Sequence, residues 1–235
     1  MKITPIVSKE LKQYFYHPTA YIVASIFLFI TGWFFSNSLF ILRQAELRSF
    51  TMITPFLLMF FIPAITMKMV SEEFKQGTFE VILTNPIKER DFVMGKYFAS
   101  MAIISIILCF TLYYPFVLVV AGVPDVGIII SSYVGILFLA STYISIGLFG
   151  SSITKNQIVA FIVSFMIIFI LFMLDKITIF FPAYLQAWVE YLSITYHFNN
   201  FVLGLIELRD IVYHLSVTCF FLFLANLKLV SRYNQ

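Results

Sequence analysis

The sequence predicts an all-α integral membrane protein with six transmembrane helices. Three observations carry this. Of its 235 residues, 61% are hydrophobic and 11% charged, with a mean hydropathy of +0.96, whereas soluble domains run nearer half apolar and a quarter charged. Six apolar runs are each long enough for a span, which takes about 20 residues. The charged residues collect between those runs. Little chain is left over for a large soluble domain, so residues 1–235 are read as one transmembrane domain.

The first element is an amphipathic helix from Ile3 to Tyr16. Ile3, Ile6, Val7, Leu11, Tyr14 and Phe15 recur at helical spacing, and Lys2, Lys9, Lys12 and Gln13 take the other face. Thr4 and Pro5 suit an N-cap and first turn. His17-Pro18 ends the helix, because proline removes a donor and restrains the residue before it. A basic amphipathic helix of this kind lies in the headgroup plane as an interfacial helix. The N-terminus is not expected to be a cleavable signal peptide: the apolar run from Thr19 to Leu42 is too long, and no small-residue cleavage site follows.

Six spans follow: Thr19 to Leu42, Ile53 to Val70, Phe98 to Ala121, Val126 to Gly150, Ile158 to Leu174 and Ile211 to Leu229. Pro55 and Pro63 fall in the second, and Pro115 marks a kink in the third. Cys109 and Cys219 lie in apolar runs and are read as inert buried thiols. Lysine and arginine favour the cytoplasmic side of a membrane. One side collects Lys2, Lys9, Lys12, Lys68, Lys75, Lys88, Arg90, Lys96, Lys155, Lys228 and Arg232; the other has Arg43, Arg48, Lys176 and Arg209. The imbalance puts both termini in the cytoplasm, as an even number of spans requires.

Between the fifth and sixth spans, Asp175 to Asp210 forms an outer segment rich in aromatic residues, among them Phe180, Tyr184, Trp188, Tyr191 and Tyr196. Its apolar runs are too short and broken to cross. Backbone at membrane depth must satisfy its own hydrogen bonds, so the segment is read as a re-entrant helical hairpin near the outer interface, with its rings in the aromatic belt.

The segment from Ser71 to Lys96 reads SEEFKQGTFEVILTNPIKERDFVMGK. Of the 15 basic and 12 acidic residues, ten lie at Lys68, Glu72, Glu73, Lys75, Glu80, Lys88, Glu89, Arg90, Asp91 and Lys96. Turn chemistry parses the stretch. Gly77 suits the left-handed stop of a helix running on from the second span. Thr78 can cap a new short helix, with Glu80 in its first turn complementing the dipole. Phe79, Val81, Ile82 and Leu83 give it an apolar side, and Asn85-Pro86 ends it. Glu72-Glu73 is read as a solvated pair at a helix end. The residues alone leave two readings open: an exposed apolar patch with a charged rim, which marks a protein interface, and a solvated loop resting on headgroups.

Several function classes are excluded or disfavoured. No GxxxxGK[ST] motif occurs, so the chain has no P-loop for ATP. Asp175, Arg209 and Asp210 are placed at span ends, within reach of water, and the spans otherwise carry almost no charge. That disfavours an ion-coupled carrier, which keeps ionisable groups at mid-membrane. It fits a route for an amphipathic or lipid-linked substrate. His17, His197 and His214 have no metal-ligand spacing, and no catalytic constellation is present.

The pattern EExxxxGTFExxLTxP, followed by Gly95-Lys96, resembles the transmembrane subunits of type-2 ATP-binding-cassette (ABC) exporters. The KELKQYFYHPTAY stretch and the run SYVGILFLASTYISIGLFGSSITKNQIVAF, Ser132 to Phe161, extend the likeness over nearly the whole chain. The latter resembles the gliding-motility-associated permeases. The resemblance implies a single permease domain with no catalytic residue, cofactor or metal of its own. It implies a cytoplasmic coupling helix between spans two and three that enters a cleft of a separate ATPase. The residues it assigns there are Glu72, Glu73, Gly77, Thr78, Phe79, Glu80, Ile82, Leu83, Thr84 and Pro86. A second, smaller contact would be the short turn Ser151 to Gln157 between spans four and five, with Thr154, Lys155, Asn156 and Gln157 as its contact residues. Expected partners are two copies of the ABC ATPase with its ATP and magnesium, a second permease copy as homodimer or related heterodimer, membrane lipid and a periplasmic auxiliary protein; no nucleic acid is expected. The location implied is the bacterial inner membrane. The alternatives are a membrane anchor or assembly subunit of a motility or surface machinery, and an intramembrane enzyme.

Overall fold

The computed structural model describes residues 3–16, 18–41, 46–77, 89–122 and 125–233. Every regular element among them is helical. In chain order these are α1 (Ile3–Tyr16), α2 (Pro18–Ser36) extended by a π-helical turn (Asn37–Ile41), α3 (Arg48–Gln76), α4 (Glu89–Thr111), α5 (Tyr113–Ala121) and α6 (Val126–Ile153). Then come α7 (Gln157–Ile177) with a 3-10 turn (Thr178–Phe180), α8 (Ala183–Tyr191), α9 (Ile194–Val202) and α10 (Leu208–Tyr233).

Six stretches are long and apolar enough to cross a membrane: Ala20–Ile41, Arg48–Gln76, Glu89–Val120, Val126–Ile153, Gln157–Phe180 and Leu208–Ser231. Their outward faces carry large exposed apolar side chains such as Phe29, Trp33, Phe110, Phe116 and Phe220. The chain is a multi-pass membrane protein. Two spans run further than their apolar patterns suggest. The second continues past Val70 to Gln76 and the third starts at Glu89 rather than Phe98. Helical hydrogen bonding continues through these polar flanks because two of their charges, Glu73 and Lys96, are paired in the fold rather than solvated.

Helix α6 is the centre of the bundle. From Leu139 to Leu148 every residue is buried, and α3, α7, α9 and α10 pack around it. Small and hydroxylated residues let backbones approach closely in such a bundle. Thr142 Oγ1 lies 3.0 Å from His214 Nδ1 on α10, and Ser141 Oγ lies 3.1 Å from Thr218 Oγ1. Cys109 and Cys219 are exposed on the bundle surface, not buried as their apolar surroundings suggested: a run that is apolar all round says nothing about which face meets lipid.

Pro115 acts where the sequence placed it. The third span breaks at Leu112, dividing α4 from α5. Proline at 115 cannot donate to the carbonyl four residues back, which is that of Thr111. Tyr133 Oη donates to that carbonyl at 2.8 Å, supplying the missing bond from α6. Thr4 and Pro5 fall inside the first turn of α1, not before it; proline fits there because no helical acceptor awaits its missing N–H.

At the end of the bundle away from α1, here the far end, α8 and α9 fill the segment between the fifth and sixth spans. Helix α8 buries no residue, whereas α9 buries Ile194, His197, Phe198, Phe201 and Val202. Phe201 sits on Gly135 of α6, where a Cβ would come within 2.5 Å of it. Gly204 then turns the chain at φ 86°, a left-handed conformation that favours glycine. Asp210 does not reach water as expected: it is fully buried. His197 Nδ1 lies 2.7 Å from Asp210 Oδ1, Asn200 Nδ2 donates to Asp210 Oδ2 at 2.8 Å, and His197 Nε2 lies 2.9 Å from the Tyr191 carbonyl. Both ring nitrogens thus face an oxygen of the fold.

Candidate functional site

The candidate site is at the opposite, near end, where α3 finishes, α4 begins and α1 crosses them. Gly77 closes α3 at φ 69°, its N–H bonding the Glu73 carbonyl. Any side chain there would be strained, which accounts for glycine. Gly77 itself is exposed. Residues 78–88, with Thr78, Phe79, Glu80, Ile82, Leu83, Thr84 and Pro86, lie outside the described residues. The structure defines the two helix ends that carry this segment.

Those ends are joined by charge. Lys96 Nζ lies 2.7 Å from Glu10 Oε1 and 3.2 Å from Glu73 Oε1. Lys9 Nζ, on the exposed side, lies 3.5 Å from the same Glu73 oxygen. Lys96 is 1% exposed, Glu10 7% and Glu73 9%. Two acids and two lysines balance. The Lys96 ammonium also sits 4.7 Å from the centre of the Phe92 ring, which adds a cation–π attraction in a desolvated place. Three elements meet here: α1 through Glu10, α3 through Glu73 and α4 through Lys96. Removing one member of a buried ion pair leaves an uncompensated charge and costs about 3–5 kcal/mol.

Backbone proximity makes the arrangement possible. A Cβ on Gly95 would lie 2.7 Å from Ile6 Cγ2. With glycine, α1 settles directly onto the start of α4, and Glu10, one turn beyond Ile6, meets Lys96, the next residue after Gly95. Glu73 is therefore not half of a solvated pair. It is buried, while its neighbour Glu72 is half-buried and accepts from Gln76 Nε2 at 3.2 Å. Adjacent helical residues point about 100° apart, so the two glutamates separate into an inward and an outward position.

The second cluster lies in the turn between α6 and α7. Asn156 caps α7, its Oδ1 accepting from Ile158 N at 2.9 Å, and Thr154 Oγ1 accepts from Asn156 N at 3.0 Å. Lys155 and Asn156 are exposed, and Thr154 and Gln157 are half-buried. The turn is tied to α3 just before it starts. Ser151 Oγ accepts from the Val70 and Ser71 N–H groups at 3.1 and 3.0 Å.

Glu72, Glu73 and Gly77 are thus together at the end of α3, and the 154–157 turn follows a helix bonded to α3. The sequence reading missed Glu10, and it put Ser151 in the turn between spans four and five, whereas Ser151 is buried within α6. Glu10 had a signal, being the only acid in an otherwise basic helix. Ser151 had none, since a serine at a span end usually bonds its own helix. No group of three or more potential metal-ligating side chains occurs among the described residues.

No curated protein matches the chain. A family model described as ABC-2 family transporter protein matches residues 5–225, which takes in most of α1, the first five spans, the far-end helices and the larger part of the sixth span. With six apolar spans, that match fits a membrane permease subunit of an ABC transporter, a transport component rather than an enzyme, and the family implies an ABC ATPase as partner. The chain belongs to the ABC-2 family of transporter proteins.

Proposed function

We propose that this chain is the transmembrane subunit of an ATP-driven exporter in the bacterial inner membrane, one single-domain permease half of a pair, driven by two copies of a separate ATPase. Both termini and the 71–96 segment face the cytoplasm, as the lysine and arginine bias supports. Helix α1 lies at that interface, and α8 and α9 form a re-entrant hairpin on the outer side. The segment Gly77 to Pro86 is the coupling helix, and Thr154 to Gln157 is a second contact. ATP and magnesium belong to the partner. The substrate is amphipathic or lipid-linked, in keeping with spans almost free of charge. The likeness of residues 132–161 to gliding-motility-associated permeases supports a surface or motility role, with a periplasmic auxiliary protein.

The observation that carries the coupling role is the Glu10–Lys96–Glu73 cluster. It clamps the two helices on which the 78–88 segment begins and ends. Load applied to that segment is then passed to α3, α4 and α1 together rather than lost in a soft loop. An ATPase drives such a subunit only if its ATP-bound form prefers one packing of these helices over another.

The test is co-purification from native membranes, with ATP turnover measured on the purified complex. An ATPase should accompany the wild-type chain. Leu83→Asp should lose it while the spans stay folded. Equal ATPase recovery in Leu83→Asp contradicts the docking role. An ATPase-dead partner that still supports the cell phenotype favours the assembly-subunit reading instead.

A further inference from the structure

Three close contacts bind the near-end halves of α3, α6 and α7. Ser151 is fully buried on α6. Its Oγ accepts from the N–H groups of Val70 and Ser71 and donates to the Met67 carbonyl at 2.9 Å, which uses both lone pairs and the proton. About one turn earlier, a Cβ on Gly147 would lie 2.1 Å from Thr66 Oγ1, so α6 and α3 meet there with no room for a methyl group. On the side facing α7, a Cβ on Gly150 would lie 2.1 Å from Ser164 Oγ. By contrast, α3 and α4 barely touch along their length, and their charged link is Glu73–Lys96.

Both proposed ATPase contacts leave from this block. The first begins where α3 ends at Gln76. The second is the turn that joins α6 to α7. Packed helices with no free volume transmit displacement rather than absorb it.

We infer that Ser151 fastens the two ATPase contacts into one lever, so that a partner which displaces either contact moves both as a unit. Ser151 is a positioning residue: it touches neither ATP nor substrate and acts through the α3 backbone. The inference rests on the proposed function, because a lever needs a driver.

The experiment places spin labels at Lys75→Cys and Ile158→Cys, both exposed and neither assigned to an ATPase contact, in the full chain with Cys109 and Cys219 replaced by alanine. The 75–158 distance distribution is recorded in lipid nanodiscs, alone and with the co-purified ATPase and a non-hydrolysable ATP analogue. The lever predicts a narrow distribution that nucleotide leaves in place. Ser151→Ala should broaden it and shift it to longer distances, with or without the ATPase. Ser71→Ala, which keeps the Ser151 hydroxyl, should stay narrow. A nucleotide-dependent change of the 75–158 distance in the labelled chain, or a Ser151→Ala distribution as narrow as that of the chain with Ser151 intact, overturns the lever while leaving the ATPase partnership standing. Failure of any ATPase to co-purify with the unlabelled wild type overturns the proposed function, and the lever falls with it.

Discussion

Lys96 Nζ and Glu10 Oε1 lie 2.7 Å apart, 86 residues apart in sequence and almost fully withdrawn from solvent. Lys96 belongs to the third span and Glu10 to the helix that precedes the first. Glu73, from the end of the second span, completes the cluster. The elements flanking the segment that resembles a coupling helix are therefore fixed to each other by charge, in a region where water cannot readily replace a lost partner.

Lys96→Met should destabilise the protein by about 3–5 kcal/mol, since it leaves the buried Glu10 without its cation and Glu73 with only the more exposed Lys9. The triple variant Lys96→Met, Glu10→Gln, Glu73→Gln should recover much of that loss, because no buried charge is left unpaired. Thermal unfolding in detergent, followed by tryptophan fluorescence, separates the two. A triple variant no more stable than the single one would show that packing, not charge, dominates here.

Gly95→Ala should force α1 away from α4, because the added carbon meets Ile6. Overpacking of this kind costs about 1–3 kcal/mol. Ile6→Ala in the same chain should restore most of it. The readout is protease sensitivity of the first 16 residues: raised in Gly95→Ala, and returned towards wild type in the double variant.

Much of this fold was legible in the sequence, and the failures have specific causes. The spans were readable because 20-residue apolar runs have few other homes. Gly77 was readable because a left-handed helix end demands glycine. Glu73 and Asp210 were misread as solvated because composition does not reveal a partner distant in sequence, and each has one: Lys96 for Glu73, His197 for Asp210. The exposure of Cys109 and Cys219 was unreadable for the opposite reason, since a span in lipid is apolar on its outer and inner faces alike.

Tyr133→Phe should cost about 0.6 kcal/mol and at most about 1.7, the range for hydrogen bonds between membrane helices, because the Thr111 carbonyl loses its donor. Pro115→Ala restores an N–H four residues on from Thr111, so Tyr133→Phe should cost less in that background. A double-mutant cycle on unfolding free energy measures the difference. Equal costs in both backgrounds would separate the tyrosine from the proline break.

Asp210→Ala should loosen the far-end helices. His197 is fully buried and would lose its carboxylate partner, and Asn200 would lose the acceptor for its amide. Leaving a buried hydrogen-bonding group of this kind unpaired costs about 1–3 kcal/mol. Hydrogen exchange of residues 183–202 should quicken relative to α6 in the same molecule. Uniform quickening of the whole bundle would instead assign Asp210 to global stability.

The central claim is that the segment between the second and third spans is held by an ATPase. The most direct measurement introduces a photo-crosslinking amino acid at Ile82 in living cells and identifies the adduct by mass spectrometry. The account predicts a P-loop ATPase on that side chain, absent when Leu83→Asp is added. Adducts with lipid or with a periplasmic protein, and none with an ATPase, would contradict it.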